Sequence, residues 1–290
     1  MLKFTELPYE MGYMFNSTDI SIYTENLSPD MQNAAQIMAD QMDVFSPEGI
    51  LSLGNETRSR MSSVSTELLD IAIDSDMAPA LKQITKVAKQ VSRFGSMLRS
   101  AKSLARPRAK ARLMDSYDLL KVELLRVSGE LERDRRNLIR SISLLEDTHR
   151  ANLEIYQELG VIIEAGNIKL AALHTAPVGY EDHIHRLELK LSDLNTSRMV
   201  CRQTAVQIFL LRDSAYSLLD RINSISESVV PLWTTQVALA LGVSSISESQ
   251  LSATGAFNTI ADATRTLSQE IASTTKCIAE AGKNAGQIRS

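Results

Sequence analysis

Residues 180–229 read YEDHIHRLELKLSDLNTSRMVCRQTAVQIFLLRDSAYSLLDRINSISESV. One line of alternating 3- and 4-residue steps runs through them: Tyr180, Ile184, Leu187, Leu191, Leu194, Arg198, Cys201, Ala205, Ile208, Arg212, Ala215, Leu219, Ile222, Ser226, Val229. Twelve of these fifteen positions are apolar. A seam of that period is what a long helix needs in order to pack along another helix. It fixes the fold class as all-α.

The flanking sequence carries the same signal. Upstream, Leu113, Tyr117, Leu120, Leu124, Val127, Leu131 and Leu138 advance in steps of 3, 4 and once 7, the long step spanning Asp134. The pattern continues through Ile142, Leu145, Leu153 and Tyr156 to Leu173, a helix of about 95 Å at 1.5 Å per residue. Gly160 and Gly166 are candidate bends, and residues 174–180 the turn. Downstream, Pro231 predicts a kink, a break is expected near Gly242, and Ile246, Phe257, Ile260, Leu267, Ile271 and Ile278 mark a last helix. Three long amphipathic stretches with short connections bury their seams against one another. The expected architecture is an elongated antiparallel bundle of long helices with coiled-coil-like seams over 109–290, decorated by shorter N-terminal helices over 27–108.

Those shorter helices have start signals. Ser28-Pro29-Asp30 and Ser46-Pro47-Glu48 each place a capping hydroxyl, a proline and an acid in the order a helix N-terminus favours. The second signal predicts one helix to about Ile73. Residues 1–26 show no clear period and are expected to be poorly ordered.

Only 12 Gly and 7 Pro punctuate the 290 residues, too few for many short strands. Met1–Phe15 lacks a basic region before an apolar run, so no secretory signal is expected. Val229–Val243 is the most apolar stretch and is too short to span a bilayer. Cys201 and Cys277 stand 76 positions apart with no CxxC, which indicates no disulfide framework and a cytoplasmic setting.

The net charge of −4 hides a polarised chain. Residues 1–77 hold 13 acids against three cations, and 78–112 hold ten cations and no acid. Residues 79–106 read as a basic amphipathic helix. Leu81, Ile84, Ala88, Val91, Phe94, Leu98 and Ala101 form its stripe, flanked by Lys82, Lys86, Lys89, Arg93, Arg99 and Lys102. Three partners suit such a helix. Docking on the acidic first 77 residues weighs most, then an acidic phospholipid surface. Nucleic acid comes last, since Phe94 is the only aromatic available for stacking.

Arg198 and Arg212 fall on the seam itself. A guanidinium there needs acceptors, either a Glu of the preceding helix or a bound oxyanion. The ion pair is the favoured reading. His183 and His185 point to different helix faces, and His149 and His174 lack a helix-spaced histidine, so neither metal nor cofactor is expected. No phosphate loop or Ser/His/Asp pattern supports an enzyme. Redox chemistry at Cys201 or Cys277 is a third and weaker reading, for want of a resolving pair.

The stretch His185-Arg-Leu-Glu-Leu-Lys-Leu-Ser-Asp-Leu-Asn-Thr-Ser-Arg-Met199, Gln203 onward with Gln207, and Pro231-Leu232-Trp233, Gln236 and Gly242 resemble the toxic anion resistance (TelA/KlaA-like) family. Leu187 and Glu188 lie inside the first block. Leu131–Leu138, Asn152–Tyr156, Ala165-Gly166 and Ile50–Gly54 fit the same pattern, and the resemblance covers roughly 48–285. It implies an elongated helical cytoplasmic protein of tellurite and envelope-stress resistance, of a kind often encoded beside other stress-resistance proteins, which are its expected partners; the basic residues 82–102 add an expected contact with the inner face of the membrane. It leaves Arg186, Arg198 and Arg212 as anion or ion-pair candidates. The turn at 174–180 is shorter than in many members, and the charged tail usual beyond Ile288 is not found. Heptad seams serve an intramolecular bundle and a homo-oligomer equally well.

Overall fold

The computed structural model describes residues 21–24, 26–74, 78–101, 107–175, 179–246 and 250–289. Among them every regular element is helical. In chain order these are α1 (Pro29–Gln41), α2 (Pro47–Ser52), α3 (Asn55–Asp74), α4 (Ala78–Ala101), α5 (Pro107–His174), α6 (Glu181–Asn223), a π-helical turn (Ser224–Val229), α7 (Val230–Ile246) and α8 (Gln250–Arg289). Of residues 1–26, where an unordered segment was expected, 1–20 and 25 lie outside the described residues, as does Lys102, while Tyr23 is buried and held in place.

The caps act as their sequence dictates. Ser28 Oγ accepts from Met31 N, and Ser46 Oγ from Gly49 N. The helix expected from Pro47 to about Ile73 is two helices. Gly54 sits at φ +70° between them, a left-handed conformation that suits Gly and ends α2. Pro107 opens α5, where its missing N–H costs nothing. Helix α5 then runs 68 residues through Gly160 and Gly166. Those glycines serve close approach. A Cβ on Gly166 would lie 2.3 Å from Leu191, and one on Gly160 would meet Leu27 and Arg198.

Near Pro231 the helix is distorted rather than broken. Proline cannot accept the normal turn geometry four residues behind it, and the widened π-helical turn lies just upstream, with Val230 N donating to Ile225 O. The break expected at Gly242 falls later, because α7 continues to Ile246.

The chain forms two compact units that cut across the expected boundary at 108. Unit 1 combines residues 1–71 with 144–210, and unit 2 combines 72–143 with 211–290.

Unit 2 is a four-helix arrangement rather than a decorated three-helix one. Helix α4 is a full member, because Ile84, Val87, Val91, Phe94 and Leu98 are buried in one core with Leu113, Leu124, Ile222, Trp233, Ile260 and Ile271. Neighbouring helices run antiparallel. Lys86 meets Glu123 while Gln83 meets Arg126, and Trp233 meets Thr264 while Ser214 meets Asn284. The seam drifts here: Leu218 and Ile225 are buried, and Leu219 only partly so. A straight helix repeats every 3.6 residues and slips against a 3.5-residue pattern.

Unit 1 packs α1–α3 on the second half of α5 and the first half of α6. Ala35 and Ala39 of α1 meet Ala165 of α5, small residues that permit close approach. Ion pairs tie the rim: Arg60 to Glu158 at 2.7 Å, and Arg58 to Asp193 at 3.5 Å. Lys190 donates to Leu51 O and Asn55 Oδ1.

Candidate functional site

Two arrangements bear on function. The first is the outer face of α4. Its apolar stripe is buried in unit 2, so for the stripe the docking partner is α5 and α8. Lys82, Lys86, Lys89, Arg93 and Arg99 are exposed on the other side. Lys86 Nζ lies 2.8 Å from Glu123 Oε1, and Arg126 shares the same carboxylate. Hydrogen bonds from Arg126 and Lys86 hold the Glu123 carboxyl down at about 2. Arg99 donates to Ser96 Oγ. Lys82, Lys89 and Arg93 have no ion-pair partner among the described residues. The face is therefore cationic, and among the described residues Met97 is its one exposed large apolar side chain, far less than an interfacial helix inserts into a bilayer.

The second arrangement is in unit 1, around the seam arginine Arg198. Asn152 and Tyr156 stand one turn apart on α5. The Tyr156 hydroxyl donates to two successive carbonyls, Tyr23 and Thr24, each at 3.1 Å. Asn152 Nδ2 donates to the Tyr23 hydroxyl at 3.0 Å and to Cys201 O at 2.8 Å. The Tyr23 hydroxyl also lies 3.3 Å from His149 Nδ1, and burial pushes its pKa up to about 12. Tyr23 and Thr24 thus form a strap pinned across α5 and α6.

Arg198 is one of the pins. Its Nη2 donates to Thr24 O at 3.1 Å, and its guanidinium lies over the Tyr156 ring. The expected glutamate partner is replaced by a carbonyl and an aromatic face, which leave the buried Nε without a hydrogen-bond partner among the described residues. Arg212 is 2% exposed and lies 3.7 Å from its neighbour Asp213. Arg186 is exposed on α6.

The residues that carried the resemblance separate into two sets. Leu187 and Trp233 are buried. Trp233 Nε1 donates to Thr264 Oγ1, and its ring meets Phe94 and Tyr117. Glu188, Met199, Gln203, Pro231 and Gly242 are exposed, while Gln207 and Gln236 are half-buried. Sequence reasoning gave no role to Tyr23; it read Tyr156 as a seam residue, Gly160 as a bend and Asn152–Tyr156 as part of the family pattern, and none of them as holding residues 23 and 24. The only available signal was the four-residue spacing of Asn152 and Tyr156 on a helix.

The cysteines are poor nucleophiles. Cys201 is fully buried with its thiol pushed up to about 11, and burial also raises Cys277. No group of three or more metal-ligating side chains occurs among the described residues, and no helix among them is long and apolar enough to cross a membrane. A cavity of about 10 Å³ beside the π-helical turn has room for one water at most.

These features define an all-α protein of long packed helices with a cationic outer face. The chain belongs to the toxic anion resistance protein (TelA) family, whose profile matches residues 35–179 and 178–285. The two matched pieces meet at the α5–α6 turn. A TelA-like protein of Staphylococcus saprophyticus is 24% identical over 254 residues, covering 78% of this chain and 67% of that protein. A TelA-like protein of Staphylococcus aureus is 25% identical over 77% of this chain and 67% of its own length. The protein YaaN of Bacillus subtilis is 26% identical over 70% of this chain and 60% of its own. No solved structure matches.

Proposed function

We propose that the chain is a non-catalytic helical adaptor in resistance to tellurite-type oxyanions and envelope stress. In this reading it is cytoplasmic, binds other stress-resistance proteins, and rests on the acidic inner face of the membrane through α4. The observation that carries the reading is the exposed cationic row Lys82, Lys86, Lys89, Arg93 and Arg99 on a helix with no acid. Because the apolar stripe is used in the core, the attraction is electrostatic. Each cation near an acidic leaflet contributes about 1 kcal/mol, within a Debye length of about 10 Å at 0.1 M salt.

Co-sedimentation with vesicles tests this. Binding to acidic vesicles at low salt, absent on neutral vesicles and lost at high salt, is expected. Lys82→Glu/Lys89→Glu/Arg93→Glu should abolish it with helicity intact; Lys86 is left alone because it pairs with Glu123. Absence of pelleting with acidic vesicles at every salt concentration would reject the membrane contact.

A further inference from the structure

Helix α6 presents a second seam on its outer side. The exposed large hydrophobics of α6 are Leu189, Met199, Val206 and Leu210, at 58, 64, 38 and 45%. All four fall on one line of alternating 3- and 4-residue steps from 185 to 210. The intervening positions of that line are His185, Ser192, Thr196 and Gln203, also exposed. None of the eight is Lys, Arg, Asp or Glu, in a chain with 23% charged residues. A helix face that meets only water is where charges ordinarily collect. This one instead has the composition of a helix–helix seam about 38 Å long, and it lies on the side of α6 opposite Leu187, Leu191, Leu194, Cys201 and Ala205, which face the core.

We infer that this strip is the interface of an antiparallel homodimer, with α6 of a second copy as its occupant. The strip is self-complementary about a two-fold axis between Thr196 and Met199. In that register Leu189 meets Val206 of the second copy, Ser192 meets Gln203, and the small Thr196 meets the long Met199. In the three central layers apolar therefore faces apolar, polar faces polar and small faces large, while at each end His185 meets Leu210 of the second copy. Charge selects the orientation. A parallel in-register pair would set Glu188 beside Asp193 of the second copy, a like-charge flank. The antiparallel register sets Asp193 beside Val200 instead, and leaves Asp193 to its ion pair with Arg58. The seam lies wholly in unit 1, so it stands or falls independently of the α4 face.

The full-length chain should show a concentration-dependent rise from 32.0 kDa toward twice that mass in sedimentation equilibrium. Met199→Lys should weaken association by about tenfold or more while leaving the far-ultraviolet circular dichroism unchanged, since the side chain is exposed. Orientation is read by cross-linking in a Cys277→Ser background; Cys201 is buried. Thr196→Cys mixed with Met199→Cys should oxidise to a disulfide-linked pair far faster than either variant alone. A chain that stays monomeric at every concentration overturns the proposal. So does Thr196→Cys linking to itself as fast as to Met199→Cys, which would mean a parallel partner, and so does association indifferent to Met199→Lys.

Discussion

The Arg198 guanidinium carbon lies 4.4 Å from the centre of the Tyr156 ring. The hydroxyl of that same ring holds the strap carbonyls of Tyr23 and Thr24. One side chain of α5 therefore anchors both a cation of α6 and the backbone leading into α1.

That double role predicts graded losses. Tyr156→Phe keeps the ring beneath Arg198 and removes the two hydrogen bonds, at a cost of about 1–2 kcal/mol. Tyr156→Leu also removes the cation–ring contact, worth up to about 2 kcal/mol when desolvated. Urea unfolding followed by circular dichroism should place Tyr156→Leu below Tyr156→Phe. Equal midpoints would mean that the ring contributes nothing to Arg198.

Two glycines should respond in opposite directions to alanine. Gly54 combines φ +70° with Leu194 Cδ2 only 2.6 Å from where a Cβ would stand. Gly54→Ala is expected to destabilise by about 1–2 kcal/mol. Gly129 lies within helical α5 with nothing within 4 Å of its Cβ position. Gly129→Ala should stabilise by up to about 1 kcal/mol. Thermal unfolding of the two variants checks the pair.

Asp134 occupies a seam position, and its carboxyl is raised above the ordinary range by burial and then by Glu130. With the folded value above the unfolded one, the group favours folding at pH below its unfolded value. That benefit is lost as pH rises through the folded value. Asp134→Asn should therefore raise stability at pH 7, by about 1 kcal/mol or less. The gain should vanish as pH falls through the carboxylate range. A pH-independent gain would trace the effect to packing instead of ionisation.

Thiol labelling can report on the core. Cys201 is fully buried, its thiol raised to about 11, whereas Cys277 is half-buried. In the native chain at pH 8, Cys277 should label faster by on the order of a hundredfold. Comparable rates would show that unit 1 opens readily around Cys201.

The long helices were legible because their apolar positions recur for many turns, and Leu113–Leu131 and Leu187–Ile222 lie where that period puts them. Caps were legible too, since Ser28 and Ser46 act locally. The break at Gly54 was not, because the apolar period of Ile50 and Leu53 runs on into Met61 and Val64 across it. Nor was α4's place in the core. Its charges were the louder signal, while the stripe from Ile84 to Leu98 decides the packing. For the site, position outran partnership. Arg198 lies on the line of the apolar period, but its acceptors are a carbonyl at Thr24 and a ring at Tyr156. Neither a backbone oxygen 174 positions away nor a ring face leaves a trace in charge patterning.

Both units are assembled from two separate stretches of chain, and this sets an order on their birth. Residues 1–71 find their complement once Leu210 has been synthesised, whereas unit 2 must wait for the C-terminal helix. The stripe of α4, complete at residue 101, is left without α8 until nearly two hundred further residues have been added. At roughly 5–20 residues per second that is on the order of ten to forty seconds. Throughout that interval the stripe has only α5 to pack on, and the part of it that meets α8 has no cover. During translation, then, the α8-facing part of this stripe is an apolar surface waiting for its cover.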